Sequence, residues 1–279
     1  MLFKRGLLIP AALLVFAGCG TVPDNDVVAR VGDAELDRDQ FSALVDARRA
    51  ATGVPVDSMP ESEAARIDGD TARGIAGQFV VMELVRSDMV ELGLELPELD
   101  SSLEGADRFD ADYQAIGAAW SSTPPETMAD ERLRDWYAQG PTESGVACVQ
   151  HILVAERAEA DDVLSRLGAG ESFADVAADA STDPGSAAQG GSLGCAPLST
   201  FRQQFIPEFV DGSLAAEVGV PTEPIESEFG HHVIRVTPFD ELAGDDILVS
   251  RLIALADWHE VETDPEIGVW EFPNVVPLG

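Results

Sequence analysis

The segment from Cys148 to Val236 constrains the fold of this 279-residue chain more than any other part. It begins with an apolar run over Val146–Val154 and ends with another over His232–Val236, and both patterns predict β-strands. Helical patterns cover Ala158–Leu167 and Phe173–Ala180, and a Gly-rich stretch then predicts a loop over 181–194. Helices that cover a small antiparallel sheet make an α+β fold.

Motifs spaced along this segment resemble those of the parvulin-type peptidyl-prolyl isomerase domain. They are His151-Ile-Leu-Val, Gly170-Glu-Ser-Phe, Ser181-Thr-Asp-Pro, Gly190-Gly-Ser-Leu-Gly and Phe229-Gly-His-His-Val-Ile. The resemblance extends over about a third of the chain. It implies a peptidyl-prolyl cis-trans isomerase that needs no cofactor and acts on Xaa-Pro bonds of unfolded or partly folded polypeptides.

The rest of the chain resembles the N-terminal chaperone region of the SurA and PrsA group of exported foldases. The resemblance implies a helical, SurA-like chaperone domain over 27–141 plus 241–279, with a parvulin-like domain inserted at 145–238. Gly140-Pro141 suits the linker between them. We expect a short linker also over 19–26.

The first 18 residues have the features of an export signal. Lys4 and Arg5 precede an apolar stretch over Gly6–Phe16, which is too short to span a bilayer. Ala17-Gly18-Cys19 resembles a lipoprotein signal box, although Phe16 replaces the usual Leu, and it predicts lipidation at Cys19. The protein would then lie outside the cytoplasm, held to the membrane by its N-terminal lipid. The alternative is an ordinary secretory signal that is cleaved elsewhere.

The chain is strongly acidic, with 51 Asp and Glu against 17 Lys and Arg and a formal net charge of -34. Lys4 is its single lysine, and the acidic residues are spread along the chain. This charge excludes electrostatic binding to nucleic acid or to an anionic membrane face. It indicates either a solvated surface or a preference for basic client segments.

The chain has three cysteines, and Cys19 belongs to the signal. Cys148 and Cys195 remain as a pair in an oxidising compartment, so they are predicted to form a disulfide. The alternative is a pair of buried free thiols. A zinc site with His151 and His232 is disfavoured, because residues three apart on a strand, such as Cys148 and His151, face opposite sides.

By the parvulin resemblance, the centre of the site contains His151, Asp183, Thr222 and His232. The two histidines are expected to hydrogen-bond, and Asp183 to tune the electrostatics at the substrate carbonyl. The same resemblance places Leu193, Phe201 and Phe205 in an apolar cup for the proline ring.

Several features of this assignment depart from the parvulin pattern or have other interpretations. Phe201 replaces the commoner Met, and Ser192 replaces the usual Asp of the Gly-rich turn. Asp183 requires a one-residue insertion relative to the shortest parvulins. Without the surrounding motifs, the two histidines would be ordinary strand-end residues, and the cup residues would be plain core. The acidic loop over 155–159 argues against phosphoserine-proline selectivity.

The clearest helix outside this segment carries an apolar stripe at helical spacing. The stripe consists of Ile75, Phe79, Met82, Val85, Met89 and Leu92. It indicates either core packing or a groove for client polypeptides, for which methionine is suited. Further helices are predicted after Asp37, over Ala111–Trp120, Glu126–Tyr137 and from Ile247 to Trp258, with extended residues near Trp270 and Val275.

Two functional hypotheses follow. The first is an exported, lipid-anchored isomerase and foldase. The second is a holdase chaperone whose parvulin-like unit only binds proline-containing segments, since SurA-like chains often carry units with weak or no catalysis.

Overall fold

The computed structural model describes residues 20–21, 26–52 and 61–278. The export signal expected over 1–18 and the lipidation expected at Cys19 lie outside these residues. Within them, no helix combines the length and the apolar character that a membrane span requires.

The first part of the chain is mostly helical. Its elements are β1 (Gly20–Thr21), β2 (Val27–Val31), β3 (Ala34–Asp37), α1 (Arg38–Thr52), α2 (Glu61–Glu91), α3 (Gly105–Ser121), α4 (Pro125–Met128), α5 (Glu131–Tyr137) and α6 (Pro141–Ser144). The Asp37 carboxylate accepts a 2.8 Å hydrogen bond from the backbone N–H of Gln40. This is an N-terminal cap of the kind predicted from the sequence for α1.

The second part contains both strands and helices. The elements are β4 (Val146–Val154), α7 (Arg157–Gly168), α8 (Phe173–Ala180), β5 (Ser192–Pro197), α9 (Leu198–Gln204), α10 (Pro207–Ala215), β6 (Ile225–Ser227), β7 (Gly230–Val236), α11 (Gly244–Trp258), β8 (Val261–Thr263), β9 (Val269–Glu271) and β10 (Asn274–Val276). The expected α+β fold is therefore confirmed.

The elements before residue 141 and after residue 241 share one hydrophobic core, and we call them the helical body. Five members of the predicted stripe on α2 are buried in this core: Ile75, Phe79, Met82, Val85 and Met89. Leu92 packs against its edge. The stripe is therefore core packing, and its two methionines are not available as a client surface.

A small sheet joins the two ends of the helical body. Its strand order is β1-β8-β2-β3, with β8 antiparallel to β2. The C-terminal strand β8 was not predicted, because Val261–Thr263 is too short to show a period. Its pairing brings Val261 opposite Val31 and so closes the core with residues 230 positions apart.

The second sheet has the order β5-β4-β7-β6, and all its neighbours are antiparallel. We call residues 145–238 the sheet unit. Successive side chains on a strand point to opposite faces, so β4 and β7 contribute to two separate cores. Ile152 and Val233 pack with α7 and α8 on one face, and Val149 and Ile234 pack with α9 and α10 on the other.

The sequence prediction missed three features. Residues 192–197, predicted as part of a loop and its continuation, form strand β5. Helix α2 begins at Glu61, well before the start of the apolar stripe. A short helical region predicted around Phe201–Phe209 consists of two helices, α9 and α10, and the second extends to Ala215. Gly194 inside β5 and Gly190 and Gly191 just before it hide the strand pattern, because glycine is rare inside strands.

The sheet unit is attached to the helical body through α5 and α11. The Asp246 carboxylate on α11 accepts a 3.0 Å hydrogen bond from the backbone N–H of Cys195 on β5. The Tyr137 hydroxyl donates a 2.7 Å bond to the Thr237 carbonyl at the end of β7. Burial raises the pKa of Asp246. These bonds fix the edge strand β5 and the end of the central strand β7 against two helices of the helical body.

The helical body also contains a buried ion pair. Arg251 on α11 lies 2.7 Å from the carboxylate of Asp88 on α2, and their side chains are 2% and 0% exposed. Trp120 donates a 2.8 Å bond to Asp88, and Arg251 donates to Asp130 at 2.9 Å and to the Met128 carbonyl at 2.6 Å. This cluster connects four helical elements around one charge pair.

Candidate active site

Two histidines face each other on the central strands of the sheet unit. His151 lies on β4 and His232 on β7, and the register pairs Leu153 with His232. Residues 151 and 153 of a strand share a face, so both imidazoles point to the side that α9 and α10 cover. Both side chains are buried.

The two rings are nearly parallel, with an interplanar angle of 16° and centroids 5.7 Å apart. Their Nδ1 atoms are 3.4 Å apart. Each ring therefore directs its Nε2 atom away from the other ring, toward a separate polar partner.

The outer partners of the two rings are a carboxylate and two hydroxyls. His151 Nε2 lies 2.9 Å from Asp183 Oδ2 and 3.0 Å from Ser186 Oγ. His232 Nε2 lies 2.8 Å from Ser227 Oγ. The result is a continuous row of hydrogen-bonding groups across the sheet, from Asp183 to Ser227.

The chemistry of these groups fixes the direction of the hydrogen bonds. An ionised carboxylate only accepts, so His151 Nε2 carries the hydrogen that it shares with Asp183. With both rings neutral, His232 Nδ1–H donates to His151 Nδ1, and the Ser227 hydroxyl donates to His232 Nε2. Every ring nitrogen in the row then has a partner of the right kind.

Electrostatics favour the charge states that this pattern needs. The Ser186 hydroxyl donates to Asp183 at 2.5 Å, and this bond, with that from His151, lowers the pKa of Asp183 to about 2. Burial, together with the neighbouring His151, lowers the pKa of His232 to about 4. At neutral pH, Asp183 is therefore ionised and His232 is uncharged.

An aromatic wall borders the histidine pair. Phe209 on α10 presents its ring edge-on to both histidines, with centroid distances of 5.3 Å in each case. Phe205 lies 5.1 Å from Phe209 and 4.7 Å from Phe201, measured between centroids. Phe201 is buried, whereas Phe205 and Leu193 are only partly buried. The partly buried pair therefore provides the accessible part of this wall.

The structure brings together His151, His232 and Asp183 but does not include Thr222 in their hydrogen-bonded row. The Thr222 hydroxyl accepts a 3.0 Å bond from the backbone N–H of Ile234, and its own N–H donates to the Ile234 carbonyl at 2.8 Å. The hydroxyl beside His232 belongs to Ser227, which the hairpin folds back over the ring. The role that the parvulin resemblance implies for Thr222 stays a prediction.

Three residues of the site were missed from the sequence: Ser186, Ser227 and Phe209. Phe209 follows Phe201 and Phe205 at four-residue intervals, so the helical period was a usable signal. Ser186 follows Asp183 by three residues in a turn, where hydroxyl-to-carboxylate bonds are common. No comparable local signal identifies Ser227.

Gly191 allows the Gly-rich loop to approach strand β4. Its φ is +80°, and a Cβ at this position would lie 2.4 Å from the His151 carbonyl oxygen. The Gly191 carbonyl accepts a 2.9 Å bond from the His151 N–H. A side chain at Gly191 would therefore displace the backbone that carries His151.

Cys148 and Cys195 are joined by a disulfide between the paired strands β4 and β5. The Ser250 hydroxyl of α11 lies 3.6 Å from each sulfur. The disulfide thus connects the strand that carries His151 to the strand that carries Leu193. Within the described residues, no three His, Cys, Asp or Glu side chains are grouped as a metal site would require.

The family comparison identifies the sheet unit. Residues 147–239 match the family model of the PPIC-type PPIase domain. These residues are a parvulin-type domain. The match begins at the first residues of β4 and ends just after β7, so the parvulin domain contains the histidine row and the aromatic wall.

Known proteins with similar sequences include foldases. The chain is 33% identical over 122 residues to the foldase protein PrsA of Caldanaerobacter subterraneus subsp. tengcongensis, which covers 42% of this chain and 39% of that protein. It is 40% identical over 95 residues to foldase protein PrsA 4 of Bacillus cereus, covering 34% and 32%. The chain spans about two fifths of the length of the first of these relatives.

Among solved structures, the parvulin NmPin of Nitrosopumilus maritimus is 34% identical, with 33% of this chain and 96% of that chain covered and a TM-score of 0.31. PrsA of Bacillus subtilis is 20% identical, with 84% and 88% covered and a TM-score of 0.33.

Proposed function

We propose that this protein is a peptidyl-prolyl cis-trans isomerase and foldase that acts on partly folded polypeptides outside the cytoplasm. The observation that carries the proposal is the row of hydrogen bonds from Asp183 through His151 and His232 to Ser227, beside an accessible apolar wall. Its position within a parvulin domain supports it.

The reaction explains why such a site suffices. Rotation about a prolyl bond is slow because the amide has partial double-bond character, with a barrier of ~18–20 kcal/mol. No covalent bond between enzyme and substrate is needed. The site must hold the proline ring, exclude water from the amide and favour the twisted state, in which amide resonance is lost.

In this proposal, Leu193 and Phe205 hold the proline ring, and Phe201 supports Phe205 from behind. Asp183 has a side chain that is 25% exposed, so it is the charged group of the row that a substrate amide can approach. Its negative charge disfavours electron density on the nearby substrate carbonyl, which opposes amide resonance. The remaining barrier to rotation is thereby lowered.

The histidine pair has a positioning role. His151 and His232 are buried behind Asp183, and their outer bonds connect Asp183 on one side of the site to Ser227 on the other. A change in either ring would move both ends of the row. We assign to them the preorganisation of the site and not a transfer of protons to the substrate.

The proposed clients are exported, partly folded polypeptides that contain Xaa-Pro bonds. The apparent export signal and the foldase relatives support this location, and Cys19 would provide a lipid anchor to the membrane. The holdase alternative was based on the weak or absent catalysis of many SurA-like units and on a methionine stripe, and that stripe is buried in the helical body. No other observation favours that alternative.

The direct test is a prolyl isomerase assay of the purified protein, by NMR exchange or protease coupling, with a panel of Xaa-Pro peptides. We expect clear acceleration by the wild type and loss of most of it in the His151→Ala/Asp183→Ala double variant. His231→Ala is the matched control, because His231 lies on the opposite face of β7 and contacts Ala155.

The comparison requires that the variants remain folded. Circular dichroism and thermal unfolding would establish this. Unchanged activity in a folded double variant would refute the site assignment. No acceleration by the folded wild type on any peptide would refute the enzymatic proposal itself.

A further inference from the structure

The hairpin that joins β6 to β7 carries an exposed aromatic side chain at its tip. Phe229 is 61% exposed. Five large apolar side chains are exposed in the described part of the chain, and Phe229 is the aromatic one among them. An exposed phenylalanine leaves much apolar surface in water, so the exposure of Phe229 needs an explanation.

Phe229 has no evident structural role. It belongs to none of the three hydrophobic cores of the described residues, and it does not pack against their edges. Turn formation does not require it, because Gly, Asn, Asp and Ser favour such positions and Gly230 supplies the positive φ of +130°. Replacing Phe229 should therefore leave the fold unchanged.

The hairpin tip is directly connected to the histidine row. The Ser227 hydroxyl lies 2.8 Å from His232 Nε2 and accepts a 3.1 Å hydrogen bond from the backbone N–H of Phe229. One oxygen atom thus links the backbone of Phe229 to the imidazole of His232. The tip is held at a fixed position beside the site.

The location of the hairpin leaves the tip accessible to a bound polypeptide. β6 is an edge strand of the sheet, so no further strand covers it. Ser227 lies on the same face as Ile225, which is paired with His232 and packs toward α10. The tip therefore borders the face of the sheet on which the proline ring is proposed to bind.

We propose that Phe229 is a specificity-determining residue, which selects client segments carrying a bulky apolar side chain within two residues of the proline. The ring of Phe229 would cover that side chain at the rim of the site, and both apolar surfaces would leave water on binding. This inference rests on the proposed isomerase function and names its substrate class.

The test compares peptides that differ only in one flanking side chain. Each peptide would contain one Xaa-Pro bond. It would carry Ala, Leu or Phe at one of the two positions before the proline or one of the two positions after it. For the wild type, we expect at least one position at which Leu or Phe raises kcat/KM about tenfold over Ala, mainly through a lower KM. In Phe229→Ala this preference should fall to less than about twofold, with the Ala peptide unaffected.

Two variants serve as controls at the same tip. Glu228→Ala changes the exposed neighbour and should retain the wild-type preference. Phe229→Leu keeps an apolar side chain and should retain most of it. A Phe229→Ala protein that discriminates among the peptides as well as the wild type would overturn the inference.

The peptide panel also separates this inference from the proposed function. Turnover of the Ala peptide by the wild type tests isomerase activity, whereas the ratio between peptides tests Phe229. If no peptide is turned over, the same ratios would be measured as dissociation constants by fluorescence anisotropy. Equal affinities of the wild type for Ala, Leu and Phe peptides would then refute the role of Phe229.

Discussion

The parvulin domain and the helical body each contain a buried polar cluster, and the two clusters differ in their exposure. In the helical body, the central pair of Asp88 and Arg251 is 0% and 2% exposed, and only its outer partner Asp130 is partly exposed, at 35%. In the parvulin domain, His151 is similarly enclosed, but its partner Asp183 is 25% exposed at the side chain. The Asp88–Arg251 pair is therefore closed to solvent at both members, whereas the His151–Asp183 pair has one partly exposed member.

This difference separates a structural role from a binding role. A closed ion pair can only connect the elements around it, because no ligand reaches its charges. In a row that ends in a partly exposed carboxylate, the buried members hold that carboxylate in a fixed position, where a bound molecule can contact it. The same kinds of hydrogen bond thus support stability in one region and a candidate active site in the other.

The largest effect on stability is expected from breaking the buried pair of Asp88 and Arg251. Arg251→Ala leaves the Asp88 carboxylate buried without its cation, which should lower the free energy of unfolding by about 3–5 kcal/mol. Denaturant unfolding would measure this loss. Arg157→Ala is the control, since its 2.9 Å pair with Asp161 is exposed and should contribute less than about 1 kcal/mol. Similar losses of unfolding free energy in both variants would show that the buried pair contributes no more to stability than the exposed pair.

Removing the disulfide should have the next largest effect. Cys148 and Cys195 are 47 residues apart, so their bond restricts a long loop in the unfolded chain. Cys148→Ala/Cys195→Ala should lower the free energy of unfolding by about 2–4 kcal/mol. Reductant should lower the stability of the wild type and leave that of the variant unchanged. A wild type insensitive to reductant under unfolding conditions would contradict the prediction.

A fall in pH should remove the stabilising contribution of His232 before that of Asp183. His232 has a pKa of about 4 in the folded protein, below the ordinary value of 6.5, so its contribution is complete above pH 6.5 and is lost as the pH falls toward 4. We expect a loss of roughly 1–3 kcal/mol over this range. The contribution of Asp183, whose pKa of about 2 is below the ordinary 3.8, is lost only between pH 4 and 2.

Unfolding measured at several pH values in the wild type and in His232→Gln isolates this effect, because the other acidic groups titrate in both proteins. The difference between the two curves should shrink as the pH falls from 6.5 to 4. A difference that stays constant with pH would show that His232 is not held neutral by its surroundings.

The smallest predicted effects distinguish Ser227 from Thr222. Ser227→Ala removes the outer partner of His232 and should lower kcat/KM by roughly threefold to tenfold, the equivalent of about 1 kcal/mol. Thr222→Ala removes an acceptor from the Ile234 N–H, so it should lower stability by about 1 kcal/mol and change kcat/KM less than twofold. A larger activity loss in Thr222→Ala would show that Thr222 acts in the site, as the parvulin resemblance implies.

Much of the architecture was predictable from local patterns. The helical period identified α2, α5, α7, α8 and α11, and apolar runs identified β4 and β7. The limits of the two domains along the chain stay a prediction. The short strands β5 and β8 were missed, because each depends on pairing with a partner that is distant in sequence.

The sequence alone determined which residues are candidates for the site. The resemblance to parvulin motifs implies six of these candidates: His151, Asp183, Leu193, Phe201, Phe205 and His232. The apolar stripe of α2 was also visible in the sequence, but the sequence did not show whether the stripe forms core or a client groove. That choice depended on whether other elements cover the stripe.

Only the tertiary structure decided how the polar groups are partnered. The hairpin turn places Ser227 and not Thr222 on His232, and a turn after α8 places Ser186 on Asp183. Strand register and turn geometry fix these contacts to within a hydrogen-bond length, and a one-residue shift would reverse the face of each side chain. Residue types follow from the sequence, whereas the partners of a hydroxyl depend on where the folded backbone brings it.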